Sequence, residues 1–131
     1  MVRQLFYVLA SFLLAGSVQA EWSLLGRSDT FRVYLDQKLM QRNGNFAQIW
    51  QLMDFTVAQW ADARTAVGSV KNLLEYDCTV PRFRTLAAEA YTEQMAGGRL
   101  VANERLSDPQ WEDVAPGSTP EKVRQIVCGK Q

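Results

Sequence analysis

The run Pro116-Gly117-Ser118-Thr119-Pro120-Glu121-Lys122-Val123-Arg124-Gln125-Ile126-Val127-Cys128-Gly129 decides how the chain folds. Pro116-Gly117 breaks whatever precedes it. Ser118 and Glu121 then stand three apart, the spacing of a capping box: the serine hydroxyl accepts the Glu121 amide proton and the carboxylate reaches back to the Ser118 amide. Pro120 is tolerated in the first turn, where its missing N–H has no helical partner. Val123, Ile126 and Val127 are expected on one side of a short helix, with Lys122 and Arg124 outside and Gly129 as the stop. The helix closes on Cys128, and the only other cysteine is Cys78.

Upstream of this helix the apolar residues repeat every second position rather than every third or fourth. Phe31, Val33 and Leu35 alternate with Arg32, Tyr34 and Asp36, which predicts a half-buried strand over 31–36. A shorter strand over 22–26 precedes it across the polar break Arg27-Ser28-Asp29-Thr30. Asn43-Gly44 marks a turn, since both residues tolerate positive φ. A strand over 46–55 follows, apolar on both sides near its centre, which predicts an interior strand with Trp50 in the core. Residues 57–68 are rich in Ala around Trp60 and show no clean period, so a loop or one or two helical turns is expected there. Strands over 71–78, 82–95 and 99–104, punctuated by Pro81 and Gly97-Gly98, complete an antiparallel meander. Strands first and helix last make the chain α+β.

Residues 1–20 carry the marks of a cleaved signal peptide: Arg3, an apolar stretch from about Leu5 to Ala15, and Val18-Gln19-Ala20 as the cleavage site. The apolar stretch is shorter than the roughly 20 residues needed to span a bilayer. The remainder, 21–131, is the length of one domain. It is expected to be exported to the periplasm or the cell surface. Glu21 stands where lipid attachment would need Cys, so no lipid anchor is expected.

Two cysteines in an exported chain are read first as a disulfide, here Cys78 to Cys128. The closed loop of roughly 50 residues gives about 4 kcal/mol in the chain-entropy model. A redox or nucleophilic thiol is the rival reading, without CxxC spacing or a neighbouring His to support it.

The whole chain has 14 basic and 14 acidic side chains and no histidine. The leader holds only Arg3, so the mature chain sits near minus one. Such a balance gives no electrostatic ground for a nucleic-acid partner. The lack of histidine removes the commonest general base and metal ligand together. No metal or cofactor is expected: carboxylates show no calcium-loop spacing, and Gly97-Gly98 is too short to cradle phosphate.

Arg82 and Arg84 share a face of their strand. They form either a site for an anionic ligand or cross-strand ion pairs with Glu75 and Asp77, the second being the commoner arrangement. Glu75 and Asp77 are also the one carboxylate pair a hydrolase could use, but nothing else in the sequence completes such a site. Trp60 is the aromatic residue expected to make an exposed contact.

Trp50-x-Leu52-x-Asp54, Ser69-Val70-Lys71, Glu75-Tyr76-Asp77-Cys78, Arg82-x-Arg84, Tyr91, Gly97, Trp111 and Pro116-Gly117-Ser118 through Cys128 together resemble the surface-adhesin protein E family of Gram-negative bacteria. The resemblance runs from about Trp22 to Cys128. It implies an antiparallel sheet with a C-terminal helix tied on by the Cys78–Cys128 bridge. It also implies a non-enzymatic envelope protein that adheres to protein partners. Exposed sheet edges could take a strand from a partner or from a second copy, making a homodimer an expected arrangement. The alternative is a periplasmic accessory protein holding a small ligand between sheet and helix.

Overall fold

Residues 20–129 are described by the structure, a computed structural model. The signal-peptide reading therefore falls outside the described residues. In chain order the elements are β1 (Trp22–Arg27), β2 (Phe31–Asp36), β3 (Gln41–Asn43), β4 (Phe46–Trp60), β5 (Ala66–Asp77), β6 (Arg82–Tyr91), β7 (Leu100–Arg105), β8 (Glu112–Asp113) and α1 (Thr119–Cys128). All strands join one antiparallel sheet ordered β1-β2-β4-β5-β6-β7. Two edges are shared rather than continuous. β2 pairs with the middle of β4 and β3 with its start, while β7 pairs with the end of β6 and β8 with its start. The antiparallel α+β expectation holds; the strands follow a meander only along that path, with β3 and β8 set off it beside β4 and β6.

The segment 57–68 departs from the sequence expectation. β4 continues to Trp60 and β5 begins at Ala66, so most of this Ala-rich stretch is an extended hairpin rather than a loop or helical turn. Its period is scrambled by a large bulge: Asp54 faces Ser69 and Gln59 faces Val67, which sets four residues of β4 against Gly68 alone. β6 ends at Tyr91, short of residue 95, because the chain curls into a 3-10 turn at Gln94–Ala96.

The helix packs on one face of the sheet. Leu35, Ala47, Ile49, Leu74, Tyr76, Val123 and Val127 form the buried cluster there, each strand contributing alternate residues. Val123 and Val127, four apart, share the inward stripe, whereas Ile126 is turned away and stays 37% exposed. The cap is half of the expected box. The Glu121 amide donates to the Ser118 hydroxyl at 3.3 Å, but the Ser118 amide donates to the Ala115 carbonyl instead of to the Glu121 carboxylate. At the other end Cys128 is bonded to Cys78, with Cα atoms 5.5 Å apart. Arg124 Nε donates to the Asp77 carbonyl at 2.8 Å and Arg42 to the Cys128 carbonyl at 3.2 Å, so the last turn of α1 is held from two sides.

Tyr76 lies at the centre of this core, fully buried and stacked on Phe83 at 5.5 Å. Its hydroxyl has no hydrogen-bond partner, and burial raises its pKa well above the usual phenol range. A buried hydroxyl stripped of water and left unpaired is a net loss to the fold. Tyr76→Phe is therefore expected to raise the unfolding free energy by about 1 kcal/mol, read in urea denaturation. A measured loss would show that the hydroxyl is engaged after all.

Candidate functional site, the sheet face opposite the helix

Every strand residue that does not point to α1 points to a second face, and cross-strand register fixes which residues meet there. One row joins Phe46, Asp77 and Arg82; the next joins Gln48, Glu75 and Arg84. Further along, Leu52 stands opposite Lys71, which stands opposite Glu89. Opposite charges therefore sit directly across the ladder. Arg82 Nε lies 3.0 Å from Asp77, an Arg84 nitrogen 2.7 Å from Glu75, and Lys71 Nζ 3.5 Å from Glu89. The Arg82/Arg84 pair thus makes the cross-strand ion pairs.

Both carboxylates are fully occupied. Burial alone would raise the Asp77 carboxyl. The hydroxyl and amide of Thr79, the Val80 amide and the Arg82 guanidinium outweigh it and hold the group well below the usual carboxylate range. Glu75 accepts from Arg84 on one oxygen and from Gln48 Nε2 at 2.8 Å on the other. Each is engaged on both oxygens, and Glu75 and Asp77 serve as ion-pair anchors. Beyond them, burial and the neighbouring Glu89 carboxylate push the Tyr91 phenol up to about 12, and its hydroxyl donates to Glu89 at 2.8 Å.

Aromatic rings are laid over these charges. Trp111 enters from the segment before β8 and lies over both guanidinium groups, each 4.3 Å from its ring, while its edge neighbour Phe46 stacks at 5.9 Å. Cation–π attraction and planar stacking both favour arginine in this position. Lys71 Nζ sits 4.7 Å from the Trp50 ring and 5.9 Å from that of Trp22. The face is therefore an aromatic surface with its charges neutralised in place. Such a surface combines large apolar contact area with few mobile side chains, as protein-binding patches do.

The far end of the same face is closed by residues 93–97. The Met95 amide donates to the buried Asp54 carboxylate at 2.7 Å, and the Ala96 amide to the Ser69 hydroxyl at 2.9 Å. Ser69 in turn donates to the Glu93 carbonyl at 2.6 Å. Met95 and Ala96 both hold φ of 57°, a left-handed conformation that costs a residue with a side chain on the order of 1 kcal/mol. Gly68 lies directly beneath, where a Cβ would stand 2.5 Å from the Glu93 carbonyl carbon.

Trp60, by contrast, is 67% exposed near the β4–β5 turn. It pairs with Ala66 while Arg82 pairs with Asp77, which separates them by the length of β5, on the order of 35 Å. Trp60 is not part of this surface. Trp50 is half-buried on the open face, not in the helix-side core as its interior strand suggested. An interior strand has two faces, and α1 covers only one of them. Phe46 was not singled out from sequence as a contact residue, and Trp111, Lys71 and Trp22 entered only as landmarks of the resemblance, with no contact role. The signal for Phe46 is the parity it shares with Gln48 and Trp50 along β4.

No helix among the described residues is long and apolar enough to cross a membrane. The fold has close solved counterparts in protein E of Haemophilus influenzae. One such structure superposes with a TM-score of 0.65 over 86% of this chain and 86% of that one, at 14% identity. The protein from a non-typeable strain gives 0.60 over 88% and 81%, at 13% identity. A second crystal form gives 0.61 over 73% and 79%, at 14% identity. At these identities the likeness is one of fold. Among curated proteins no sequence relative matches. The family model of surface-adhesin protein E matches residues 22–129, which takes in the eight strands and the disulfide-tied helix of the described residues. The chain belongs to the surface-adhesin protein E family.

Proposed function

We propose that the chain is a non-enzymatic interaction module, exported to the periplasm or the cell surface without a lipid anchor, that binds a protein partner through the sheet face opposite the helix. One observation carries this reading: Trp111 lies over Arg82 and Arg84, themselves held by Asp77 and Glu75, so a broad aromatic plate is fixed before any partner arrives. Preorganised aromatic and arginine side chains are the groups that dominate protein interfaces. Family membership supports the same reading, and the saturated Glu75 and Asp77 carboxylates support the absence of hydrolytic chemistry.

Trp111→Ala should reduce capture of the chain by immobilised extracellular-matrix protein, or its own capture of a defined envelope protein, by about tenfold or more. The isolated domain should remain folded by circular dichroism. Trp60→Ala should leave binding unchanged if the open face alone is the contact. Unaltered binding by Trp111→Ala with loss in Trp60→Ala would move the contact to the hairpin end and overturn the assignment.

A second reading rests on a different place. The groove beside α1, lined by Leu25, Lys122 and Ile126, has a volume of about 840 Å³, enough for a small ligand of a periplasmic accessory protein. A specific rise in melting temperature against a metabolite panel would favour it.

A further inference from the structure

β1 is an edge strand with an unusual setting. It pairs with β2 and, among the described residues, with nothing on its other side, leaving its outward N–H and C=O groups free. A bulge between Leu24 and Gly26 makes Leu25 the extra residue and packs it against the helix-side core. Between Leu25 and α1 runs the groove already described, and it continues past Phe31 and Val33. Ile126, turned out of the core, forms its far wall. The helix-facing side of this free edge thus offers Leu25, Phe31, Val33 and Ile126 as apolar contacts, with the Lys122 and Arg124 side chains of α1 among them.

The other side of the same edge is basic. Arg27 stands directly opposite Arg32 across the β1–β2 ladder. Like charges in that position destabilise a sheet pair, and among the described residues neither is drawn into an ion pair. Both side chains are exposed, and among the described residues neither has an ion-pair or hydrogen-bond partner. Asp54, across from Arg32 on β4, gives its carboxylate to the Met95 amide instead.

We infer that the β1 edge is a docking site for an extended segment of another protein in which acidic and apolar residues alternate. Added antiparallel or parallel to β1, such a segment would satisfy the free backbone groups. Its apolar side chains would all point to the Leu25–Ile126 groove and its carboxylates would all point to Arg27 and Arg32, because strand side chains alternate between faces. Charge complementarity selects this occupant over a second copy paired β1 to β1, since β1 contains no acidic residue. It also selects β1 over the opposite edge. The cavity beside β7 carries Asp62 together with Arg99, which gives no preference of sign. The β1 edge lies at the border of the same sheet face, away from Trp111, and Trp111→Ala tests the one assignment without touching the other.

The test uses an octapeptide of alternating glutamate and valine, blocked at both ends, titrated into isotope-labelled protein. The amides of Ser23 to Arg27 should shift and alternate ones among them should gain protection from hydrogen exchange. The same peptide with lysine in place of glutamate should bind at least tenfold more weakly. The double variant Arg27→Glu/Arg32→Glu should reverse that preference, and both positions are exposed, so the fold is retained. A peptide N-methylated at alternate residues, which cannot complete the ladder, should lose binding. Equal affinity for the glutamate and lysine peptides, shifts confined to Leu100 to Arg105, or no shift at millimolar peptide would overturn the inference. So would decanoate binding in the groove while the peptide does not bind, which would assign the groove to a small amphiphile.

Discussion

Cys128→Ser should lower the unfolding free energy by about 4 kcal/mol under oxidising conditions. The bridge spans a sequence separation of 50 residues, and closing a loop of that length stabilises chiefly by restricting the unfolded chain rather than by adding contact to the folded one. For a domain of this size the melting temperature should fall on the order of 15 °C. The helix should suffer most, because Val123 and Val127 alone carry its buried stripe. Reduction of the unaltered protein should reproduce the loss, and reduction of the variant should add nothing. A variant that melts with the parent would mean the helix is held by packing and by the Arg42 and Arg124 contacts without help from the bridge.

Gly68→Ala should be nearly as damaging despite adding only one methyl group. The new Cβ would meet Glu93 and Gln94 backbone atoms at 2.5 and 2.8 Å, and backbone cannot rotate aside as a side chain can. The segment 93–97 would have to lift. Doing so would uncover the Asp54 carboxylate and the Ser69 hydroxyl, both now buried and both satisfied by that segment's amides. Overpacking together with the loss of a charged hydrogen bond sums to about 3 kcal/mol or more. Urea denaturation gives the total, and faster hydrogen exchange at the Met95 and Ala96 amides would locate it. A loss under about 1 kcal/mol would show that the close approach over Gly68 is not made in solution.

Much of the sheet could be read from period-two alternation, and the helix from Ser118, Pro120 and Gly129. The bridge followed from cysteine number and the expected compartment. What escaped had physical causes. The hairpin beyond Asp54 has a bulge of four residues against one, which destroys the period just where Ala residues offer no strand preference. The 93–97 segment takes left-handed φ at Met95 and Ala96, residues that give no warning of it, while the neighbouring Gly97-Gly98 drew the expected turn slightly too late. Trp111 lies in a stretch with no period, so nothing in the sequence tells that its ring crosses two strands to reach Phe46. The Arg82/Arg84 pairing was legible because strand parity alone places like-numbered residues on a common face.

The indole roof over the Asp77–Arg82 and Glu75–Arg84 pairs has one more consequence. Dissolved ions weaken attractions they can surround, and their reach at physiological ionic strength is about 8 Å through water. Here the carboxylate ends are buried in the sheet and the guanidinium groups lie under the Trp111 ring, so a counterion reaches only their outer edges. Added salt therefore weakens these two bonds less than it weakens a fully exposed pair. Central strands tied in this way stay aligned through swings in salt that would loosen an ordinary surface pair.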